Sequence, residues 1–184
     1  KSYVSTYLCE TFGFDYWKPI QCGELDDLDS SFVRSITDSK VSKIHQESVL
    51  LGLPASPHLA AKKEGRELEL CDFCLPETQN GLIIEGAGGI IVPINEKGLI
   101  VYDLIQEFAD GVILVVKHYL GSLNHTLLSI EKLKNGKVPL IGVVFNGDLS
   151  EESESIIRKL HSDIPFYARV AQSSNLAKEQ LHLI

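Results

Sequence analysis

Short apolar runs alternate with amphipathic stretches through the second half of the chain. Three runs are apolar at nearly every position: Leu82–Ile84, Val112–Val116 and Leu140–Phe145. Such runs are typical of strands that are buried on both faces of a parallel sheet. Apolar residues recur at helical spacing between and after them, within residues 102–109, 124–133 and 150–160. This alternation predicts an α/β fold, a three-layer, doubly wound and mostly parallel sheet covered by helices.

The first half of the chain is less regular. Its pattern predicts a helix over residues 2–12, a strand over 16–21 and a short helix over 29–36. A turn beginning at Pro54 leads into a further helix, with Pro57 near its first position. Neither repeats nor a linker composition interrupt the sequence, so we predict a single domain over residues 1–184.

Charge and composition restrict the partners. Lys and Arg total 17 against 25 Asp and Glu, a formal net charge of -8. An acidic chain without a basic stripe disfavours a nucleic-acid partner. No apolar run approaches the roughly 20 residues that a membrane-spanning helix needs, so we expect no membrane partner.

The cysteines include one C-x-x-C pair, Cys71 and Cys74. A structural zinc site would need a second pair or two suitably spaced histidines, and neither follows with that spacing. We therefore expect buried, unreactive thiols in a reduced, cytoplasmic protein.

Glu85 and the glycines after it directly follow the predicted strand Leu82–Ile84. Ligands of open α/β sheets bind outside the carboxyl ends of the strands, where a carboxylate can hold a hard cation such as magnesium. Glycines allow backbone N–H groups to approach an anion closely. A tight turn with a solvated glutamate explains the segment equally well.

Two further features carry positive charge. Lys18 lies in an otherwise apolar strand that Gly23 ends, where its ammonium suits a phosphate or carbamate; an edge-strand lysine with an exposed head is the alternative. Lys1-Ser2 opens a helix, as does the last pair of the phosphate-binding loop G-x-x-x-x-G-K-[ST]. The glycine-rich part of that loop is absent from the sequence.

Taken in order, these segments resemble the dethiobiotin synthetase family of the biotin pathway over essentially the whole chain. The matching blocks are Lys1-Ser2, Tyr16–Gly23, Asp29-Ser30, Pro54–Ala61, Glu85–Pro93, Leu120–His125 and Gly142–Asn146. The resemblance implies a P-loop NTPase-like fold, and an N-terminal strand and most of the phosphate loop, about a dozen residues, preceding Lys1.

The resemblance also implies the reaction of an ATP-dependent cyclo-ligase. One amine of 7,8-diaminononanoate takes up CO2 as a carbamate, which ATP phosphorylates to a carbamic–phosphoric anhydride. The second amine then closes the ureido ring and releases phosphate. Such chemistry requires mainly that the protein position groups and neutralise charge, with Mg²⁺ as cofactor.

Carried over residue by residue, the resemblance assigns catalytic roles to two lysines. Lys1 would hold the transferred phosphate, and Lys18 would steady the carbamate. Ser2, Asp29 and Glu85 would ligate magnesium and contact the nucleotide.

Other roles follow from the same blocks. Gly86, Ala87 and Gly88 would line the γ-phosphate, and Asn146 with Gly147 would contact adenine.

The remaining assignments concern the substrate and the base. Asn124 would hold the diamine's carboxylate tail across the interface of a homodimer. Cys22, a substrate contact, stands where the family usually has Ser or Thr, and a thiol is a poorer hydrogen-bond partner. Ala171, Gln172 and Ser173 replace a proline-containing base loop, so we expect altered nucleotide selectivity.

Two other functions stay open on the sequence. A P-loop ATPase of the partitioning or cobyrinate-amidation type would share the phosphate loop but would not need the Lys18-Pro19 block. A non-catalytic nucleotide-binding module would have lost the loop. The residues before Lys1 discriminate between them and the ligase, which requires G-T-x-T-x-x-G there.

Overall fold

The computed structural model describes residues 1–23, 25–38, 40–170 and the backbone of 181–183. The chain divides into two compact units, Lys1–Phe108 and Ala109–Ile184. Both units combine parallel strands with helices, which confirms the predicted α/β class. The expectation of a single domain stays a prediction.

The first unit contains four helices and four strands in the described residues. In chain order they are α1 (Ser2–Phe12), β1 (Asp15–Trp17), β2 (Ile20–Cys22), α2 (Asp29–Ile36), β3 (Val49–Leu51), α3 (Pro57–Lys63), β4 (Leu82–Ile84) and α4 (Val101–Phe108). The four helices fall where the sequence predicts them. Strand β3, and a 3-10 turn at Leu70–Asp72, were not predicted.

The prediction of one continuous strand over residues 16–21 is wrong. The segment is divided at Lys18-Pro19 into β1 and β2, which pair with different partners. Strand β1 runs parallel to β4, whereas β2 runs parallel to β3. Pro19 cannot donate a backbone hydrogen bond, and its carbonyl instead accepts from Ser48 and Val49, where the chain leads into β3.

The core of the first unit is built from these short strands and the helices that cover them. Trp17, Ile20 and Leu51 are almost completely buried. The Trp17 ring packs edge-on against Phe108 of α4, with 5.7 Å between the ring centroids. Helix α1 ends at Gly13, whose positive φ of 68° allows its N–H to bond the carbonyl of Cys9.

The second unit contains β5 (Val112–Val116), α5 (Ser122–Lys134), β6 (Leu140–Asn146), α6 (Glu151–Leu160), β7 (Phe166–Val170) and β8 (Leu181–Leu183). Its sheet has the order β5-β6-β7-β8, with the first three strands parallel and β8 antiparallel. The sequence predicts β5, α5, β6 and α6 but not the last two strands. A Cβ at Gly142 in β6 would lie 2.1 Å from the Phe166 ring, so a side chain there would require the ring to shift.

The cysteine prediction is wrong for the C-x-x-C pair. Cys71 and Cys74 are both exposed, Cys22 is half-buried and Cys9 is buried, and all four are free thiols. The segment around the pair is only partly covered, since Phe73 turns into the core and Leu75 is exposed. Across the described part of the chain, no helix combines the length and apolarity required to cross a membrane.

Candidate active site

Two neighbouring parallel strands of the first unit end at the same edge and deliver the two central side chains. Lys18 follows β1 and Glu85 follows β4, and Trp17 and Ile84 are paired in register. The N–H of Glu85 donates a 2.9 Å hydrogen bond to the carbonyl of Trp17. Lys18 and Glu85 therefore lie side by side at the carboxyl ends of their strands, where α/β proteins bind ligands.

The Glu85 carboxylate is buried and held by three hydroxyls. Its Oε1 accepts a hydrogen bond of 2.9 Å from Ser2. Its Oε2 accepts bonds of 3.1 Å from Ser5 and 3.0 Å from Tyr16. Burial and the nearby Glu85 charge raise the pKa of Tyr16, so the phenol keeps its proton and remains a donor.

Ser2 links the carboxylates of Glu85 and Asp29. Its Oγ lies 2.9 Å from Asp29 Oδ1 and 2.9 Å from Glu85 Oε1. A hydroxyl carries one hydrogen, so it can donate to only one of the two carboxylates at a time. The Ser2 hydroxyl oxygen and one oxygen each of Asp29 and Glu85 thus converge, and the only proton available between them is that of the hydroxyl. Ser2, Lys18, Asp29 and Glu85 are referred to below as the carboxylate cluster.

Lys18 completes this cluster through an ion pair with Asp29. The Lys18 side chain is buried, whereas that of Asp29 is 35% exposed. Burial lowers the pKa of Lys18, and the charge of Lys1 lowers it further, while Glu85 and Glu47 oppose the shift. Lys18 is therefore not the edge-strand lysine with an exposed head that the sequence left as an alternative.

Lys1 precedes α1 directly, and its side chain is exposed. The charge of Lys1 contributes to the lowered pKa of Lys18. Ser2 and Asp29 are the first residues of α1 and α2. The positive dipole ends of both helices therefore lie at the carboxylate cluster and favour an anion there.

The glycine segment after Glu85 is constrained by close packing. A Cβ at Gly86 would lie 3.3 Å from Val101, and one at Gly88 would lie 3.1 Å from Val92. Gly88 also has a positive φ of 69°, which side chains disfavour. Gly88 is exposed, and Gly86 and Ala87 are half-buried.

The other predicted site residues are more dispersed. Cys22 ends β2 and is half-buried; burial raises the pKa of its thiol, against the opposing effect of the nearby Lys18. In the second unit, Asn124 is exposed on α5, and Asn146 ends β6. Gly147 follows Asn146 with a φ of 104°. Ala171, Gln172 and Ser173 lie outside the described residues.

Three residues at the carboxylate cluster were not predicted from the sequence. Ser5 lies one helical turn after Ser2, and Tyr16 lies two residues before Lys18 in an extended segment, so spacing alone could have indicated both. Glu47 is 8% exposed and close enough to raise the pKa of Lys18 and of Tyr16. No local pattern distinguishes Glu47, because it precedes a strand that the sequence did not reveal.

The donor set suits a hard cation that is shared with a phosphorylated ligand. Among the described residues, no group of three or more His, Cys, Asp or Glu side chains is arranged to hold a metal ion. Magnesium, however, commonly takes one or two carboxylates, a hydroxyl and the oxygens of substrate phosphates. The convergence of Asp29, Glu85 and Ser2 fits this second arrangement.

Similarity to known proteins identifies the family of this chain. Residues 1–180 match the family model described as an AAA domain. The chain is 46% identical over 160 residues to the ATP-dependent dethiobiotin synthetase of Christiangramia forsetii, covering 87% of this chain and 76% of that protein.

Two further relatives extend the match. The enzyme of the same name from Cytophaga hutchinsonii is 45% identical over 180 residues, 97% of this chain and 86% of the relative. That from Brucella ovis is 37% identical over 182 residues, 99% of this chain and 85% of the relative. These matches confirm the resemblance drawn from the sequence blocks, and the chain belongs to the ATP-dependent dethiobiotin synthetase family, enzymes of the ligase class.

Proposed function

We propose that this chain converts 7,8-diaminononanoate and CO2 to dethiobiotin at the expense of ATP. The proposal rests on one observation above all, the convergence of Ser2, Lys18, Asp29 and Glu85 at the ends of two parallel strands. The family supplies the reaction, and the carboxylate cluster supplies the charges that such a reaction needs.

The reaction has three balanced steps. One amine of the diamine attacks CO2, forms a C–N bond and loses a proton to give a carbamate. A carbamate oxygen takes the γ-phosphoryl group of ATP, so ADP leaves and a carbamic–phosphoric anhydride remains. The second amine attacks the anhydride carbon, loses a proton and displaces phosphate, which closes the ureido ring.

The first unit would hold the anionic groups. Lys1 would contact the transferred phosphoryl group, and Lys18 would contact the carbamate and the charge that builds as phosphate leaves. Gly86, Ala87 and Gly88 would offer backbone N–H groups to the γ-phosphate. The Lys18–Asp29 ion pair supports this role, because it holds the buried Lys18 ammonium within the carboxylate cluster.

Ser2, Asp29 and Glu85 would hold Mg²⁺. The ion would neutralise the triphosphate charge when bound. The hydroxyls of Ser5 and Tyr16 would orient the Glu85 carboxylate toward it, as partners outside a metal's own shell commonly do.

The remaining contacts are assigned to other segments. Asn146 and Gly147 would contact the adenine base, and Ala171, Gln172 and Ser173 would modulate nucleotide selectivity. Cys22 would lie beside the carbamate, which its proximity to Lys18 supports.

We further propose a homodimer in which Asn124 binds the diamine's carboxylate tail across the interface. Tyr119, Leu120 and Leu123 are exposed in the turn and helix around Asn124, with Leu120 fully so at 103%. Exposed apolar side chains of this size are typical of contact surfaces. All four cysteines are free thiols, as expected in a reducing compartment, and we place the enzyme in the cytoplasm.

The direct test uses the full-length protein with diamine, labelled bicarbonate, ATP and Mg²⁺. Labelled cyclic urea, formed in step with ADP and phosphate, is the expected product. Nucleotide binding without any product would contradict the proposal and favour a non-catalytic nucleotide-binding module. ATP hydrolysis that is independent of the diamine would instead favour a related P-loop ATPase.

A further inference from the structure

A buried polar cluster lies at the carboxyl ends of the three parallel strands of the second unit. His118 follows β5, Asn146 ends β6 and is followed by Gly147, and Arg169 is the penultimate residue of β7. Glu154 of α6 reaches into the cluster and is 1% exposed. A carboxylate this deeply buried requires partners that compensate for the loss of water.

Glu154 has those partners, all on one carboxylate oxygen, Oε1. It forms an ion pair with Arg169, and its Oε1 accepts a 2.9 Å hydrogen bond from Nε2 of His118. The N–H of Ser150 approaches the same oxygen at 3.4 Å. Because Arg169 is held by this carboxylate, the direction of its guanidinium is fixed.

The other terminal nitrogen of Arg169, Nη1, contacts the corner after β6, which is formed by Asn146 and Gly147. Its Nη1 donates a 2.9 Å hydrogen bond to the carbonyl of Gly147, and the N–H of Gly147 donates a 3.1 Å bond to the carbonyl of Val170. Gly147 has a φ of 104°. Both polar groups of this peptide corner are thus tied to β7, at the residue directly after Asn146.

A buried ion pair is a poor source of stability, because well-packed apolar residues commonly replace such a pair without loss. Its contribution here is geometric, since a guanidinium with two fixed partners can hold a backbone carbonyl in one position. An apolar pair would fill the same volume but leave the carbonyl of Gly147 without this donor.

We propose that Arg169 and Glu154 are positioning residues that fix the Asn146–Gly147 corner for recognition of the nucleotide base. This inference rests on the proposed role of Asn146 in binding adenine. His118 acts with them by donating to the same oxygen, Oε1, of the Glu154 carboxylate. The ligand is a purine nucleoside triphosphate. The cluster affects the binding of its base and not of its phosphates.

The main test replaces both charges together, as Glu154→Leu with Arg169→Met. Removing only one partner would leave a buried charge and endanger the fold, whereas the apolar pair preserves volume. We expect KM for ATP to rise about tenfold, the scale of a lost charge-assisted hydrogen bond. The value of kcat at saturating ATP and KM for the diamine should change less than about twofold, because the phosphate end is untouched.

The matched control is Lys134→Met with Asp163→Leu. This pair, 2.7 Å apart, is exposed and lies in the segments that lead into β6 and β7, at the opposite ends of those strands. Its loss should leave KM for ATP unchanged. A thermal unfolding curve for each variant checks that the fold is retained, and Arg169→Lys, which keeps a charge but not the fork of donors, gives a second folded variant.

Asn146→Ala separates the two proposals. If Asn146→Ala raises KM for ATP but the folded double variant and Arg169→Lys do not, the positioning role is refuted and the base site stands. If Asn146→Ala leaves KM for ATP and discrimination against GTP and CTP unchanged, the base site itself is wrong, and the positioning role falls with it. A rise in KM for ATP in all three, with the diamine's KM constant, supports the inference.

Discussion

The phenol of Tyr16 donates a 3.0 Å hydrogen bond to Oε2 of Glu85, although the two residues are 69 positions apart. Tyr16 is completely buried, and Glu85 is 4% exposed. The bond fixes the carboxylate at the edge where β1 and β4 end. Because Ser5 donates to the same oxygen, the carboxylate would remain partly satisfied without the phenol.

We therefore expect Tyr16→Phe to fold but to unfold more easily. The loss of one hydrogen bond to a buried carboxylate should lower the free energy of unfolding by about 1–2 kcal/mol. Urea denaturation at pH 7 measures the change. Tyr7→Phe, which removes the hydroxyl of a half-buried tyrosine of α1, is the matched control and should cost less. Equal stability of the Tyr16 variant and the wild type would contradict the role assigned to this bond.

Replacement of Lys18 should abolish most of the activity without unfolding the protein. In Lys18→Met the apolar stem is retained, and Asp29, which is 35% exposed, can be solvated when it loses its partner. We expect kcat/KM for ring closure to fall roughly 100- to 1000-fold, as when one donor to a developing charge is removed. Incorporation of labelled bicarbonate measures it.

Lys62→Met provides the matched control for Lys18. Lys62 also pairs with a carboxylate, Glu96, at 2.6 Å, but both side chains are about 60% exposed, at 61% and 62%. The control should retain wild-type turnover. Near-normal ring closure by Lys18→Met would remove Lys18 from the catalytic residues.

Glu85→Gln should weaken the dependence on magnesium. The amide keeps the size of the side chain but removes the negative charge, and its NH2 group presents hydrogens at one of the two oxygen positions to which hydroxyls now donate. We expect the magnesium concentration for half-maximal activity to rise about tenfold, on the scale seen when metal-site partners are lost. A magnesium titration at fixed ATP tests this, with the exposed Glu67→Gln as control; coincident titration curves would reject the assignment.

Asp15 gives the first unit a pH-dependent support at the end of β1 remote from the carboxylate cluster. Burial by itself raises its pKa, but hydrogen bonds from Thr78 and Asn80, from the N–H of Lys43 and from His45 outweigh it and lower the pKa from 3.8 to about 2. The Thr78 and Asn80 bonds are 2.6 and 3.0 Å long. The ionised carboxylate therefore ties residues 43–45 and 78–80 to β1.

The sign of the pH dependence follows from that lowered pKa. The stabilisation is complete above pH 3.8 and is lost as the pH falls from 3.8 toward 2, because the unfolded chain then binds the proton first. We expect Asp15→Asn to be less stable than wild type at pH 7, and the difference to shrink below pH 4. Denaturation curves at several pH values measure it, with Asp110→Asn removing an exposed carboxylate as control. A constant difference across this range would contradict the role of Asp15.

The thiols should react in an order set by exposure. In the folded protein, Cys71 and Cys74 are exposed, whereas Cys9 is fully buried and burial is the main cause that raises its pKa to about 12. A thiol reagent should therefore label Cys71 and Cys74 rapidly, Cys22 slowly and Cys9 only after denaturation. Mass spectrometry of timed samples assigns the sites, and Cys71→Ser with Cys74→Ser should remove the fast phase. Rapid labelling of Cys9 would contradict its burial.

Much of the local architecture follows from the sequence. The helices 2–12 and 29–36 and the strand Leu82–Ile84 were predicted correctly, because helical and strand periodicity depend on residues that are close along the chain. The placement of Glu85 after a strand could be predicted for the same reason, whereas Lys18 was predicted inside a strand and instead follows β1. The family blocks then identified the chemistry.

The tertiary structure decided which segments meet. The division of β1 from β2 at Pro19, with a different partner for each, depends on strands elsewhere in the chain. The bond from Tyr16 to Glu85 and the exposure of the C-x-x-C pair likewise depend on packing between distant segments.

The polar cluster of the second unit best illustrates the difference between what the sequence and the tertiary structure determine. Glu154 and Arg169 lie in a helix and a strand whose local patterns mark neither as special, and only the packing of α6 against the sheet buries them together. The sequence by itself determined the order of elements and the residues available at the strand ends. Which of these residues share a proton, a charge or a carbonyl was decided by the tertiary fold, because such contacts depend on distances in space that spacing along the chain does not encode.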